Sequence, residues 1–249
     1  MEHRKRGIGK KGLKGWAFLF LTMWVLSKAM GRALAGNAET MGLEALLDSS
    51  PHMMVLSGAI LILEALATCG VVLFSAMVLE GVRCTSGIQK YLARVGILAL
   101  VSEIPYDLLM TGRPFAMEAQ NPAFGLLVAV ITVYYWNLFA GRGGKNLLIR
   151  LAVLGAALIW CSLLKVEYGL PLLICTLVLW LFREDPSRWG IGGMLAGGLC
   201  ILISPFFLAA PMGAMILHFY HGEDCRSDWA YPAYPMLLLL GWILTALMG

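Results

Sequence analysis

The sequence predicts an all-α, polytopic transmembrane helical bundle of about eight or nine spans, some of them broken helices. Two observations of composition and one of pattern carry this. Of 249 residues, 59% are hydrophobic and only 14% charged, whereas a soluble domain carries roughly a quarter charged residues. Mean hydropathy is +0.78. The apolar residues come in long runs rather than in alternation. A backbone in lipid must satisfy its hydrogen bonds within each segment, so such runs form helices and not barrel strands.

The net charge of +4 is concentrated at the N-terminus, in Arg4, Lys5, Arg6, Lys10, Lys11 and Lys14. It reads as a topology signal and not as a nucleic-acid footprint. Residues 1–14 are therefore expected to form a basic cytoplasmic N-terminus, and 15–249 a single transmembrane domain. No small-residue cleavage site follows the basic run, and the apolar stretch continues into Lys28 and Arg32, so the first helix (about 15–36) reads as retained. Residues 37–52 hold Glu39, Glu44 and Asp48 but no Lys or Arg, which suits the outer side. The second helix, 53–80, carries Glu64. A basic loop, 81–90, returns to the inside. The third helix is expected at 91–111, interrupted at Pro105, with an outer loop at 112–121.

The fourth helix, 122–140, ends in the interfacial aromatics Tyr134, Tyr135 and Trp136. A basic turn at 141–145 leads to the fifth helix, 146–164, and an outer turn at 165–169 to the sixth, 170–182. Residues 189–220 are long for one span and short for two, since a span needs about 20 residues. Ser204-Pro205 and Pro211 divide them into two short, broken helices, with glycines 190, 192, 193, 197 and 198 allowing close packing. The last helix is 229–248. The acidic loop 221–228 before it favours the outside only weakly. The chain shows no internal repeat.

The six cysteines are scattered with no CxxC pair, so most read as small buried apolar residues. The four histidines (His3, His52, His218, His221) have no metal-ligand spacing, and no metal site is expected.

The stretch Glu80–Phe124 holds the most informative chemistry. Glu103 and Asp107 lie four residues apart with Pro105 between them, inside an otherwise lipid-like segment. Acidic groups at membrane depth face a bundle interior, a partner charge or a water-filled cavity. With helices alternating in direction, Lys28, Arg32, Glu64, Glu103 and Asp107 fall at comparable depth and should pair. They make either a buried ion network that pins three helices or a polar cavity that binds a substrate. Arg83, Lys90 and Arg94 in the basic loop region either fix topology or form an anion pocket, for example for the phosphates of a nucleotide-like acyl donor.

Several runs resemble the TraX family of membrane proteins. They are Phe74-Ser75-Ala76-Met77-Val78-Leu79-Glu80-Gly81 with Thr85 and Lys90-Tyr91-Leu92-Ala93-Arg94, then Ser102-Glu103-Ile104-Pro105-Tyr106-Asp107-Leu108, and Gln120-Asn121 with Phe124. Weaker echoes are Glu167-Tyr168-Gly169 and Tyr234-Pro235. The family takes its name from a conjugation-plasmid protein associated with acetylation of the pilus subunit. The resemblance implies a bacterial inner (cytoplasmic) membrane protein, its N-terminus in the cytoplasm. It would move an acetyl group from acetyl-CoA to a small protein or lipid-linked acceptor, such as a pilin-like N-terminus. No tightly bound cofactor and no nucleic acid are implied.

By the resemblance Glu80, Glu103, Asp107, Arg94 and Asn121 stand at motif positions. The family's histidines are replaced: the late first helix reads Met23-Trp24-Val25-Leu26-Ser27-Lys28, Cys84 precedes Thr85, and Leu237 follows Tyr234-Pro235. A general base near neutral pH is usually His, so the candidates for catalysis become Glu103, Asp107, Glu80 and Lys28. Arg83, Lys90, Arg94, Asn121, Glu64 and Arg32 are the candidates for substrate binding. Two further readings stay open. One is a non-catalytic partner or assembly factor on the same scaffold, and the other is a small transporter that uses the buried charges.

Overall fold

The computed structural model describes residues 8–41, 51–85, 87–220 and 230–248. Among these the chain folds into α1 (Lys10–Met41), α2 (Pro51–Cys84), α3 (Ile88–Thr111), α4 (Pro122–Leu138), α5 (Gly144–Leu163), α6 (Gly169–Leu181), α7 (Trp189–Cys200), α8 (Ala210–His218) and α9 (Ala230–Met248). Short 3-10 turns at Pro186–Arg188 and Pro205–Ala209 precede α7 and α8. The described residues contain no strand, only two isolated bridges. The all-α expectation holds, and 189–220 is broken as its prolines and glycines suggest. The acidic loops with Glu44 and Asp48 and with Glu223, Asp224 and Asp228 lie outside the described residues, as do Arg4, Lys5, Arg6, Cys225 and His221.

The ends of the helices follow from local chemistry. Asn121 caps α4, its side chain accepting from the Ala123 N–H, and Pro122 occupies the first helical position, where no N–H is needed. Gly112 ends α3 at φ 76°, a left-handed conformation suited to a residue without Cβ. One expectation is corrected here: Pro105 does not interrupt the third helix, which runs unbroken from Ile88 to Thr111. Pro105 is buried, and the helix passes through it because the surrounding packing holds both sides in place. The first helix also begins earlier than expected, at Lys10, so part of the basic segment is helical.

Among the described residues four helices are long and apolar enough to cross a membrane: Lys10–Gly36, Met53–Cys84, Gly144–Leu163 and Tyr231–Met248. Three shorter apolar helical stretches, Pro122–Leu138, Gly169–Leu181 and Pro205–His218, pack among them. The outer surface is rich in large apolar side chains. On α5, Leu147, Leu148, Leu151, Ile159 and Leu163 are exposed, while Ala157 and Cys161 face inward. An apolar surface of this extent is that of a protein solvated by lipid.

α2 is the central pillar, packed by α1, α4, α6 and α8. One core gathers around it (Leu13, Phe20, Val72, Leu73, Leu179, Trp189, Phe207 and Leu217). A second joins α1, α3 and α9 through Trp24, Tyr106, Leu109 and Leu238. Small residues permit close approach. A Cβ on Gly213 of α8 would lie 2.5 Å from the Cys69 carbonyl oxygen of α2, and one on Gly197 of α7 would lie 2.8 Å from Ala210 Cβ. Cys69, Cys161, Cys175 and Cys200 are buried, as expected, but Cys84 is exposed.

Candidate functional site

A cavity of about 480 Å³ opens between α1, α2, α3, α4 and α9. One end is formed where α1 begins, α2 ends and α3 begins. There Lys10, Lys14, Glu80, Cys84, Lys90, Tyr91 and Arg94 line it, with Tyr220 and Tyr231 from either side of the segment before α9. The N-terminal segment is tied to this end by the Ile8 N–H, which donates to the Phe219 carbonyl at 2.7 Å. The walls are apolar: Phe18, Leu21, Phe74, Met77, Val78 and Leu126. The inner end reaches Trp24, Tyr168 and Tyr234. From Lys10 to Trp24 on α1 the cavity follows the helix for about 21 Å, at 1.5 Å per residue. Its volume is that of a small-molecule site.

At the mouth, the Lys10 ammonium pairs with Glu80 at 3.2 Å. It also donates to Cys84 Sγ at 3.0 Å, and that thiol donates to Glu80 Oε2 at 3.2 Å. Glu80 and Cys84 are one helical turn apart on α2, which puts them on one face. Tyr220 stacks on Trp189, ring centroids 5.7 Å apart, and only 3% of its surface is exposed. Its hydroxyl faces Glu80 without meeting hydrogen-bond geometry.

Beyond the inner end lies a second cluster. Lys28 bridges Glu64 at 3.1 Å and Glu167 at 3.0 Å. Glu64 also accepts from Ser27 Oγ at 3.0 Å and from the Tyr168 hydroxyl. Glu167 accepts from the Tyr106 hydroxyl at 2.9 Å and from Trp24 Nε1 at 3.4 Å. The lysine and both carboxylates are largely buried, at 15–23% side-chain exposure. A buried charge is tolerated only when paired and hydrogen-bonded, and each of these three meets that condition.

Glu167 is delivered by a strained turn. Its neighbours Lys165 and Tyr168 hold φ of 48° and 55°, which for residues with a Cβ costs on the order of 1–3 kcal/mol each. Gln120 holds the turn through its backbone, donating to the Lys165 carbonyl at 3.3 Å and accepting from the Glu167 N–H at 3.0 Å. Gly169 is needed beside it, since a Cβ there would lie 2.9 Å from Val166 Cβ.

The expected five-charge network is thus divided. Lys28 and Glu64 pair as predicted, with Glu167 as the further partner. Arg32 turns instead to the end of α3, donating to the Leu108 carbonyl, which also accepts from the capping Gly112 N–H, and to the Leu109 carbonyl in the last turn, where a cation is favoured. Glu103 accepts from the backbone and side chain of Asn121, which also donates to the Ala99 carbonyl at 2.9 Å. Asp107 accepts from the Ala116 N–H at 2.9 Å and holds the loop after α3. Glu103, Asp107, Asn121, Lys28, Arg32 and Glu64 are not among the cavity-lining residues. Of the sequence candidates, Glu80, Lys90 and Arg94 line it, whereas Arg83 is exposed beside it.

Sequence reasoning did not single out Lys10, Tyr106, Tyr220 or Trp24 as site residues. For Lys10 a signal existed, because a basic residue at the start of α1 and Glu80 at the end of α2 must meet if the two helices pack antiparallel. Among the described residues no group of three His, Cys, Asp or Glu is placed to hold a metal ion.

The fold and site define a class: a helical membrane protein enclosing an amphipathic cavity with a basic mouth. A protein-family model described as TraX protein matches residues 53–245, more than three quarters of the chain. The chain belongs to the TraX family. Comparison with curated proteins and with solved structures found no match. The matched residues begin at α2, so Lys10 and Lys28 come from a helix that precedes them.

Proposed function

We propose that the cavity is an acyl-transfer site, in which an acyl thioester such as acetyl-CoA donates to an amine or hydroxyl of a membrane-associated acceptor. The observation that supports this best is the make-up of the cavity. Cations gather at one mouth, a carboxylate stands just inside, and an apolar corridor runs from there into the bundle. In this reading Lys90 and Arg94, with Lys14 beside them, hold the donor's phosphates, since such anions need several nearby cations. Glu80 is the proton acceptor. Its partner Lys10 keeps the carboxylate oriented toward the cavity, the geometry a general base requires. The acyl chain lies against Phe74, Met77 and Val78. Glu103 and Asp107, first drawn as catalytic from sequence, serve here as fasteners of the loop between α3 and α4. Lys28 serves as the central charge of the cluster behind the cavity.

The test is binding of acetyl-CoA by the full chain in nanodiscs, read by calorimetry, with an unrelated adenine nucleotide as control. Saturable binding that weakens about tenfold or more in Arg94→Gln supports the reading; a charge-assisted phosphate contact contributes about 1.5–3 kcal/mol. No binding by the unaltered protein up to millimolar donor overturns it and leaves the non-catalytic partner. That second reading draws on the replaced family histidines at Cys84 and Leu237.

A further inference from the structure

We infer that Cys84 is a covalent acyl carrier, so that transfer proceeds through an acyl-thioester on the protein itself. This deepens the acyl-transfer reading and rests on it. Three features meet at the sulfur. Cys84 is a free, exposed cysteine at the cavity mouth, unlike Cys69, Cys161, Cys175 and Cys200, which are buried. Its Sγ lies 3.2 Å from the Glu80 carboxylate, an acceptor for the thiol proton, and 3.0 Å from the Lys10 ammonium, a counter-charge for the thiolate. Glu80 is in turn held by Lys10 at 3.2 Å. A nucleophile, a base in hydrogen-bond reach and a third group that orients the base are the arrangement of an activated nucleophile.

The second observation is a separate side chain, brought to the same mouth from the end of α8. The Tyr220 hydroxyl is buried, lines the same mouth beside Glu80 and meets no partner at hydrogen-bond geometry. A buried donor left without a partner is costly, and a ligand oxygen at the mouth would satisfy it. The carbonyl oxygen of a thioester under attack is such an acceptor, and its negative charge grows during attack.

The step balances without an oxidant or reductant. Glu80 takes the Cys84 proton, and the thiolate sulfur bonds to the carbonyl carbon of the donor thioester. The donor's carbon–sulfur bond breaks, and its thiolate leaves with the proton held by Glu80. In the second half the acceptor amine bonds to the same carbon and the Cys84 carbon–sulfur bond breaks. The amine proton passes through Glu80 back to the Cys84 sulfur.

The experiment is acid-quenched mass spectrometry of the full chain in nanodiscs after incubation with acetyl-CoA alone, with peptide mapping and a hydroxylamine arm. The expected result is one acetyl adduct on the Cys84 peptide. It is removed by hydroxylamine, absent in Cys84→Ala and in heat-denatured protein, and formed at least tenfold more slowly in Glu80→Gln. Cys84→Ser checks the fold: it should bind acetyl-CoA as the unaltered chain does while forming no hydroxylamine-labile thioester. Acetyl-CoA binding with no adduct overturns the covalent route and leaves acyl transfer standing. Cys84→Ala protein that still acetylates an acceptor at the unaltered rate does the same. An adduct that forms equally on denatured protein also overturns it. Absence of acetyl-CoA binding overturns both readings.

Discussion

Lys28→Met tests whether the cluster at the inner end of the cavity is an ion network that the fold depends on. Lys28 Nζ touches Glu64 and Glu167 at 3.1 and 3.0 Å. At an effective dielectric of about 20, each such contact carries roughly 5 kcal/mol of gross attraction. Most of this offsets the loss of hydration of three charges that are only 15–23% exposed, so the intact network adds little net stability. Removal of the lysine is a different matter, because it leaves two carboxylates together without a counter-charge. Breaking a buried ion pair in this way costs about 3–5 kcal/mol. For a chain of this size each kcal/mol lowers Tm by about 2–4 °C, so the expected fall is about 6–20 °C.

The assay is thermal unfolding in detergent read by a thiol-reactive dye in a Cys84→Ser background, which removes the exposed thiol, since Cys69, Cys175 and Cys200 are buried and report on opening of the core around α2. The triple variant Lys28→Met, Glu64→Gln, Glu167→Gln removes all three charges and keeps one carbonyl acceptor at each position, for Tyr168 and for Tyr106, while Ser27 still donates to the Ile60 carbonyl. It should recover most of the lost Tm. A single Lys28→Met variant that melts within about 2 °C of the unaltered chain would refute the reasoning, because the carboxylates would then be holding themselves without the lysine.

Other perturbations have equally direct readouts. Asn121→Ala removes the α4 cap and should cost about 1–2 kcal/mol. Asn121→Asp keeps the cap acceptor but loses the donors to Ala99 and Glu103 and sets two carboxylates together, so it should melt lower than the alanine variant. Gln120→Ala should be nearly silent in a thermal melt, because the residue works through its backbone. Gln120→Pro deletes the N–H that holds Lys165 and should destabilise by at least about 1 kcal/mol. Gly213→Ala forces a Cβ against the Cys69 carbonyl of α2 and should cost about 1–3 kcal/mol in the same assay, with earlier dye labelling of Cys69.

The sequence made the architecture legible because the bilayer leaves few options: apolar runs of span length must be helices, and prolines with glycines in 189–220 must break one. It also made Lys28–Glu64 legible, since two opposite charges in antiparallel neighbours at one depth have little choice of partner. Pro105 misled because a proline breaks a helix only when nothing else holds it. Here Tyr106, Leu109 and Ala99 are packed into the core shared with α1 and α9. Arg32 misled for a related reason. It lies one turn beyond Lys28 and invites the same partners, but it meets the last-turn carbonyls of α3 instead. Glu167 was placed in an outer turn by its surroundings of Lys165 and Gly169. What brings it inward is a pair of left-handed residues, and no apolar periodicity encodes those.

Three separated stretches of sequence act as one mechanical unit. Gln120 clamps the turn that carries Glu167 and Tyr168, while Asn121 starts α4 and fastens it to Glu103 of α3. Tyr168 then closes the inner end of the cavity and hydrogen-bonds to Glu64, and Tyr106 of the α3 motif reaches Glu167. The backbone strain on either side of Glu167 persists because contacts from α1, α2, α3 and the start of α4 all over-determine it. The two ends of the cavity are therefore built to different rules. At the inner end Lys28, Glu64 and Glu167 are each held by two or more partners. At the mouth, Lys10, Glu80 and Cys84 hold one another beside solvent, and a buried tyrosine hydroxyl without a bond stands at each end, Tyr220 at the mouth and Tyr234 at the inner end. Chemistry requires charged groups whose partners can be exchanged for a ligand, and the solvent-facing mouth is where the fold leaves them.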